Sequence, residues 1–122
     1  MPQLLALISS NPENLENIFR KVFTDTRASG HKKIIINVVS NIPYHELVSY
    51  VREAILDNID IGYELYLWNK DDTSKILNLL SKNSFDGVLL YCDNENKSTV
   101  ERIFETFPNQ LKASLIKDYC RR

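Results

Sequence analysis

Four carboxylates lie where they could bind a divalent metal ion and promote phosphoester hydrolysis. Asp71 and Asp72 follow one apolar run, and Asp93 and Glu95 follow another. Such a site needs at least two carboxylates that converge across adjacent strands. The strand order argued below places the two acidic pairs at opposite edges of a sheet. A metal-dependent phosphoesterase is therefore the last of the three functions that we consider.

The sequence places no nucleophile beside a general base. Cys92 ends an apolar run, where a cysteine usually serves as a small buried hydrophobic side chain. His45 lies near the start of a helical pattern and has no serine or cysteine partner at a recognisable spacing. Cys92 and Cys120 fit no zinc-binding spacing, and we expect no disulfide framework from them. We therefore predict no catalytic residue, no metal ligand and no cofactor.

A polar crevice is the candidate binding site. Short polar runs follow two apolar runs that we expect to be neighbouring strands: Ser9, Ser10, Asn11 and Asn14 follow the first, and Asp93 and Asn94 follow the last. A helix that begins at Pro12 would direct its positive amino end into this crevice, which favours a small anion. The turn lacks the glycines of the dinucleotide-binding and Walker loops. These glycines let the backbone approach a pyrophosphate closely, so the sequence gives no support for a pyrophosphate site.

The elements that would position these residues alternate between apolar runs and helical patterns. Strands are predicted at residues 4–8, 34–39, 63–68 and 88–92, each followed by a helix. Strands that alternate with helices imply right-handed crossovers and a parallel sheet. We predict an α/β three-layer sandwich with a four-stranded parallel sheet and helices on both faces.

Burial patterns suggest the order of these strands. Residues 4–8 and 34–39 are apolar on both faces, which favours central positions, whereas residues 63–68 alternate and carry Glu64, which suits an edge. The order 3-2-1-4 satisfies these patterns, and the flavodoxin-like order 2-1-3-4 is the alternative.

Ligands of such sheets bind where the strand order reverses, here between the loops after strands one and four. Ser40, Asn41, Asn69 and Lys70 continue the same polar rim. Asn37, inside the second strand, either bonds a backbone partner or is a functional polar group.

Capping residues set the expected helix limits. Asn11 and Pro12 begin the first helix, Pro43 opens the second, and Asp71 or Asp72 caps the third. Residues 98–101 form a capping box for the next helix. Pro108 breaks that helix, and a last helix is expected over about residues 110–119.

Bulk composition excludes several classes of protein. The chain has 122 residues with 15 basic and 16 acidic side chains, which suits one globular domain over residues 1–122. Nucleic-acid binding that depends on clustered cations is not expected from this balance. The first residues lack the pattern of a signal peptide, and no apolar run approaches the ~20 residues of a membrane span. We expect a soluble, cytoplasmic protein without a membrane partner.

Two segments resemble the receiver domains of bacterial response regulators. Residues 4–15 are similar to that family's first strand and acidic turn, and residues 62–80 with 85–91 are similar to its second strand, second helix and third strand. The resemblance implies a receiver-like α/β fold. Ser9 and Ser10 stand at the positions of the family's metal-binding acids, and Tyr91 stands at that of its phosphorylated aspartate. A domain of this kind would not be phosphorylated in the family's way.

The leading functional hypothesis is a non-catalytic regulatory or protein-interaction domain that associates with itself. Its contact surface would be formed by aromatic side chains or by the edge strand at residues 63–68. The aromatic candidates are Tyr44, Tyr50, Tyr66, Phe107 and Tyr119. The second hypothesis is a sensor that binds a nucleotide or another small anion in the crevice.

Overall fold

Helices and strands alternate along the chain in the computed structural model, which describes residues 3–120. The strands are β1 (Leu4–Ser9), β2 (Lys33–Val39), β3 (Gly62–Trp68), β4 (Gly87–Cys92) and β5 (Leu115–Asp118). The helices are α1 (Pro12–Ala28), α2 (Tyr44–Ala54), α3 (Thr73–Lys82), α4 (Lys97–Glu105) and α5 (Asn109–Lys112). Short 3-10 turns follow α2 at Ile55–Asp57 and precede α4 at Asn94–Asn96.

The five strands form one parallel sheet in the order β3-β2-β1-β4-β5. The first four strands have the order that burial patterns favoured, and the flavodoxin-like alternative is not the order found. β1 and β2 are central as predicted, since every residue of β1 is buried and β2 is exposed only at Lys33. Apolar runs without alternation thus mark strands that are covered on both faces.

The predicted count of four strands is wrong because the last helix was predicted too long. α5 ends at Lys112, and Leu115–Asp118 pairs with β4, beginning with a hydrogen bond from Val88 N to Ser114 O of 2.9 Å. β4 is buried almost throughout, so the outward backbone groups of this strand would lack partners without β5. Pairing across the sheet therefore overrides the weak local preference of residues 113–119.

Two apolar layers hold helices against the two faces of the sheet. α1 and α2 cover one face, where Phe19 and Phe23 pack against alternate residues of β1, β2 and β4. α3 and α4 cover the other face, where Ile76 and Phe104 pack against the remaining strand residues. Phe107, predicted for an exposed aromatic surface, is 3% exposed and belongs to this second layer, whereas Tyr44 is 50% exposed.

The helix starts agree with the capping residues in part. α1 begins at Pro12 and α2 begins directly after Pro43, as predicted. Asp72 stands at the N-cap of α3, and its carboxylate accepts a hydrogen bond from Asn69 N at 2.8 Å. The predicted capping box at residues 98–101 is wrong, because α4 begins at Lys97 and the turn before it is closed by Asp93.

Asn37 is a buried polar residue within β2, and both the nitrogen and the oxygen of its amide form hydrogen bonds. Its Nδ2 donates to the Ala6 carbonyl at 3.3 Å, and its Oδ1 accepts from Trp68 Nε1 at 2.8 Å. The side chain therefore fixes the last residue of the edge strand β3. This role corresponds to the structural alternative in the sequence-based interpretation.

A disulfide joins Cys92 and Cys120, with Cα atoms 5.5 Å apart, so the expectation for the cysteines was wrong. The pairing was not predicted because a helix was expected directly before Cys120, whereas Cys120 follows β5, which lies beside β4. Next to the disulfide, the hydroxyls of Tyr91 and Tyr119 donate to Asp25 Oδ2 at 2.8 and 3.0 Å. Burial, followed by the charge of Asp25, raises the pKa of Tyr91 far above its ordinary value.

Between residues 3 and 120, no helix has the length and apolar character needed to cross a membrane.

Candidate functional site

Asp93 organises the crevice that the sequence predicts between the loops after β1 and β4. Its Oδ2 accepts hydrogen bonds from Asn11 N at 2.6 Å, from Ser10 Oγ at 3.1 Å and from Asn14 Nδ2 at 3.4 Å. Its Oδ1 accepts from Asn96 N at 3.1 Å and Asn96 Nδ2 at 2.6 Å. A carboxylate of the protein itself thus lies at the amino end of α1, where an external anion was expected.

The charge of Asp93 is stabilised at this position. Partial burial disfavours the ionised form, but the hydrogen bonds from Asn11, Asn96, Ser10 and Asn14 together hold the pKa of Asp93 below the ordinary carboxyl value. An anion that entered here would have to displace Asp93 or approach its negative charge. The structure therefore offers less support for an anion at the amino end of α1 than the sequence did.

The other predicted site residues surround Asp93. Ser9 is buried, and its Oγ lies 3.2 Å from Val39 O and 3.4 Å from Asn96 Oδ1. Asn11 Nδ2 donates to Glu95 Oε2 at 2.7 Å. Asn94 is exposed and lines a separate open cleft with Asn14, Lys21 and Asp93, in which charges of both signs meet. The structure thus brings Ser9, Ser10, Asn11, Asn14 and Asp93 together and leaves Asn94 at their margin.

A larger cleft lies one strand further along the rim. It has a volume of about 310 Å³ and is lined by residues 9–12 at the end of β1, residues 39–42 at the end of β2, Lys70 after β3, and Asn96. Its walls offer the Ser40 hydroxyl and the Asn41 amide beside the apolar surfaces of Pro12 and Ile42. The loop after β2 takes the place that the sequence assigned to the loop after β4.

A smaller cleft adjoins it and shares Lys70. This second cleft has a volume of about 190 Å³ and lies between the start of α3 and one side of α4. It is lined by Lys70, Thr73, Thr99, Arg102, Ile103 and Thr106. We call the two clefts together the basic groove, because Lys70 and Arg102 are the only charged residues among the described ones that line them.

Sequence reasoning located part of the basic groove. Ser40, Asn41 and Lys70 were placed on the rim because they follow predicted strands. Arg102 was missed, since it stands on a helix rather than after a strand. Thr99, Arg102 and Thr106 recur at helical spacing beside the core face of α4, and this stripe was the signal available.

The acidic pairs do not converge. Asp71 and Asp72 follow β3, whereas Asp93 and Glu95 follow β4, and β2 and β1 lie between these strands. In the described part of the chain, no group of three or more His, Cys, Asp or Glu side chains is placed to hold a metal ion. The hydrogen bond from Asn69 N lowers the pKa of Asp72, whose carboxylate also lies 3.4 Å from Lys75 Nζ.

Comparison with known proteins places the chain in a family. A family model described as "Family of unknown function (DUF5751)" matches residues 6–121. The protein belongs to the DUF5751 family. A crystal structure of a hypothetical protein from Sulfolobus tokodaii is 51% identical, with a TM-score of 0.94 over 99% of this chain and 98% of that one. The five-stranded parallel α/β fold is therefore shared with this solved structure. No curated protein matches the chain.

Proposed function

We propose that this DUF5751 protein is a non-catalytic domain that binds a small phosphorylated metabolite in the basic groove. The observation that carries the proposal is the composition of the groove wall. Lys70 and Arg102 line two adjoining clefts, and no carboxylate lines either cleft among residues 3–120. A wall with cations and without carboxylates attracts an anion.

The smaller cleft suits the phosphate group. Lys70 and Arg102 supply positive charge, and the hydroxyls of Thr73 and Thr99 line the same 190 Å³ space. Hydrogen bonds from charged donors to phosphate oxygens are roughly twice as strong as neutral ones, and the arginine fork matches the geometry of phosphate. We therefore assign the phosphate to the space between Lys70 and Arg102.

The larger cleft suits the remainder of the ligand. Its volume of about 310 Å³ lies at the lower end of the range for small-molecule sites, which argues for a compact metabolite. Ser40 and Asn41 offer hydrogen bonds to hydroxyl or ring nitrogen atoms, and Pro12 and Ile42 offer apolar contact. A sugar phosphate or a nucleoside monophosphate has this combination of groups. Occupancy of the groove would then serve regulation, since the rim loops of three strands meet there.

Thermal unfolding in the presence of matched probes tests the proposal. We expect ribose 5-phosphate or adenosine monophosphate to raise the melting temperature, and ribose and adenosine to leave it unchanged. A ligand at 100 times its dissociation constant stabilises the folded state by about 2.7 kcal/mol, which is readily measured in a domain of this size. If neither phosphorylated probe stabilises the protein, the proposal is wrong.

Charge-removing variants locate the site. Lys70→Gln and Arg102→Gln should each weaken binding of the phosphorylated probe by about tenfold or more, because each removes a charged donor. Lys82→Gln is the matched control, since it removes an exposed charge at the far end of α3. Equal binding by Lys70→Gln and the control would place the ligand elsewhere.

A further inference from the structure

The outer edge of β3 presents unpaired backbone groups. β3 is an edge strand, and its even-numbered residues direct their backbone groups to β2. Hydrogen bonds at the two ends of β3 show which residues face β2. Gly62 N donates to Lys32 O at 2.8 Å, and Ser40 N donates to Trp68 O at 3.1 Å. Tyr63, Leu65 and Leu67 therefore direct their N–H and C=O groups away from the sheet.

One protein group reaches this edge within residues 3–120. The Tyr44 hydroxyl donates to Leu65 O at 3.4 Å, and the other outward groups of Tyr63, Leu65 and Leu67 have no protein partner in that range. An edge with free donors and acceptors is a template for another strand. The Tyr44 side chain is 50% exposed, so it is free to rotate away from the edge.

The two edges of the sheet differ in how they are protected. β5 has four residues and carries Lys117 and Asp118, which are the features that discourage pairing with other chains. β3 has seven residues, Gly62–Trp68, and its only charged residue is Glu64. Lys33 Nζ lies 3.5 Å from the Glu64 carboxylate and offsets its charge. The edge of β3 is therefore long, weakly charged and without proline.

We propose that β3 pairs antiparallel with β3 of a second copy of this chain, with Leu65 opposite Leu65 on the twofold axis. In this register Tyr63 lies opposite Leu67, and all outward N–H groups meet outward C=O groups. The side chains also agree, since two leucines meet at the axis and tyrosine meets leucine on either side. Glu64 lies opposite Tyr66, whose hydroxyl donates to Glu64 of its own chain at 2.9 Å.

Neighbouring registers fit less well. A shift that centres the axis on Glu64 places two carboxylates directly opposite each other, which is destabilising. A shift that centres it on Tyr66 places Tyr63 opposite Asn69, whose N–H already donates to Asp72 Oδ2 at 2.8 Å. The register centred on Leu65 therefore uses the most free backbone groups without opposing like charges.

A matched pair of variants at Leu65 tests the interface. Leu65→Pro and Leu65→Ala both remove the leucine side chain, but only proline removes the outward N–H. The Leu65 N–H is not used within the subunit, and proline is tolerated at such positions of edge strands. By sedimentation, we expect the unmodified chain and Leu65→Ala to form dimers and Leu65→Pro to dissociate at least tenfold more readily.

Amide hydrogen exchange gives a test that needs no variant. At concentrations where the dimer forms, the N–H groups of Tyr63, Leu65 and Leu67 should become protected, and dilution to the monomer should release them. The N–H groups of Glu64 and Tyr66 should stay protected throughout because they bond to β2. If Leu65→Pro does not fold, this measurement decides alone. A chain that stays monomeric, or a dimer in which these three amides exchange freely, overturns the proposal.

Discussion

The ionised side chain of Asp93 links the loop after β4 to the amino end of α1. We predict that Asp93→Asn lowers the free energy of unfolding at pH 7 by about 1–2 kcal/mol, since hydrogen bonds to a charged acceptor become weaker neutral ones. Urea denaturation measures this difference. Asp71→Asn is the control, because Asp71 is exposed on the same rim and lies outside this network.

The pH dependence of the same difference follows from the lowered pKa of Asp93. A carboxyl group whose pKa is lowered by folding stabilises the native state above its unfolded pKa of about 3.9. That contribution disappears as the pH falls through the folded-state pKa. The gap in stability between the unmodified protein and Asp93→Asn should therefore shrink as the pH falls below about 4. A gap that is constant from pH 7 to pH 3 would contradict the role given to this charge.

Residue types predicted the location of the polar rim but not its internal bonding. Ser9, Ser10 and Asn11 mark the end of β1, where the apolar run gives way to polar residues. Whether Asp93 binds a ligand or the protein depends on side-chain positions, and the sequence does not determine these. Ser10, Asn11 and Asn14 bond one carboxylate oxygen of Asp93, and Asn96 bonds the other. The candidate binding site is therefore the basic groove at Lys70 and not the crevice around Asp93.

Central and peripheral strands differed in how well they could be predicted. β1 and β2 are buried on both faces, and their unbroken apolar sequences predicted both their type and their place. β5 is a short, partly exposed strand, and two of its four residues are charged. Its local sequence pattern therefore fits a helix as well as a strand. Its conformation depends on β4, which lies far away in sequence. Long-range pairing of this kind was not accessible from local periodicity.

The contact between β4 and β5 depends on Gly87. A Cβ atom at this position would overlap the Ile116 side chain and lie 3.1 Å from Leu4 Cδ2. We predict that Gly87→Ala destabilises the protein by about 1 kcal/mol, because the end of the Ile116 side chain can move aside only in part. Ile116→Ala should rescue part of this loss. Gly62→Ala is the control, since its nearest contact would be an ordinary 3.7 Å from Lys32 O. Equal effects at the two glycines, measured by urea unfolding, would contradict this explanation.

The disulfide ties the end of β5 to the end of β4. The bridged cysteines are 28 residues apart in sequence, so loop closure in the unfolded chain predicts a stabilisation of about 3.5 kcal/mol. Adding a reductant should lower the melting temperature by about 10 °C. Cys120→Ser should show the lower melting temperature without reductant and should not respond to it. A melting temperature that is the same with and without reductant would show that the bond contributes little.

Tyr44 lies where the second copy would approach the β3 edge. Its hydroxyl donates to the Leu65 carbonyl, so the side chain that carries it extends to the edge of the strand. We predict that Tyr44→Ala strengthens dimerisation severalfold, since it removes both the competing donor and the ring. Tyr44→Phe keeps the ring and separates these two causes. Weaker dimerisation of Tyr44→Ala in sedimentation would mean that Tyr44 belongs to the interface instead.

A twofold axis through Leu65 would place the two basic grooves at opposite ends of the joined sheet. Antiparallel pairing reverses strand direction between subunits, and each groove lies at the carboxyl ends of its own strands. Neither subunit then completes the groove of the other.

We predict that Leu65→Pro binds the phosphorylated probe with unchanged affinity and that Lys70→Gln still dimerises. Calorimetric titration and sedimentation measure the two properties separately. Because coupling between sites is reciprocal, a ligand that shifts the dimer equilibrium must bind monomer and dimer unequally. Such a shift would contradict the independence of the two surfaces and would require a path from Lys70 along β3 to its edge.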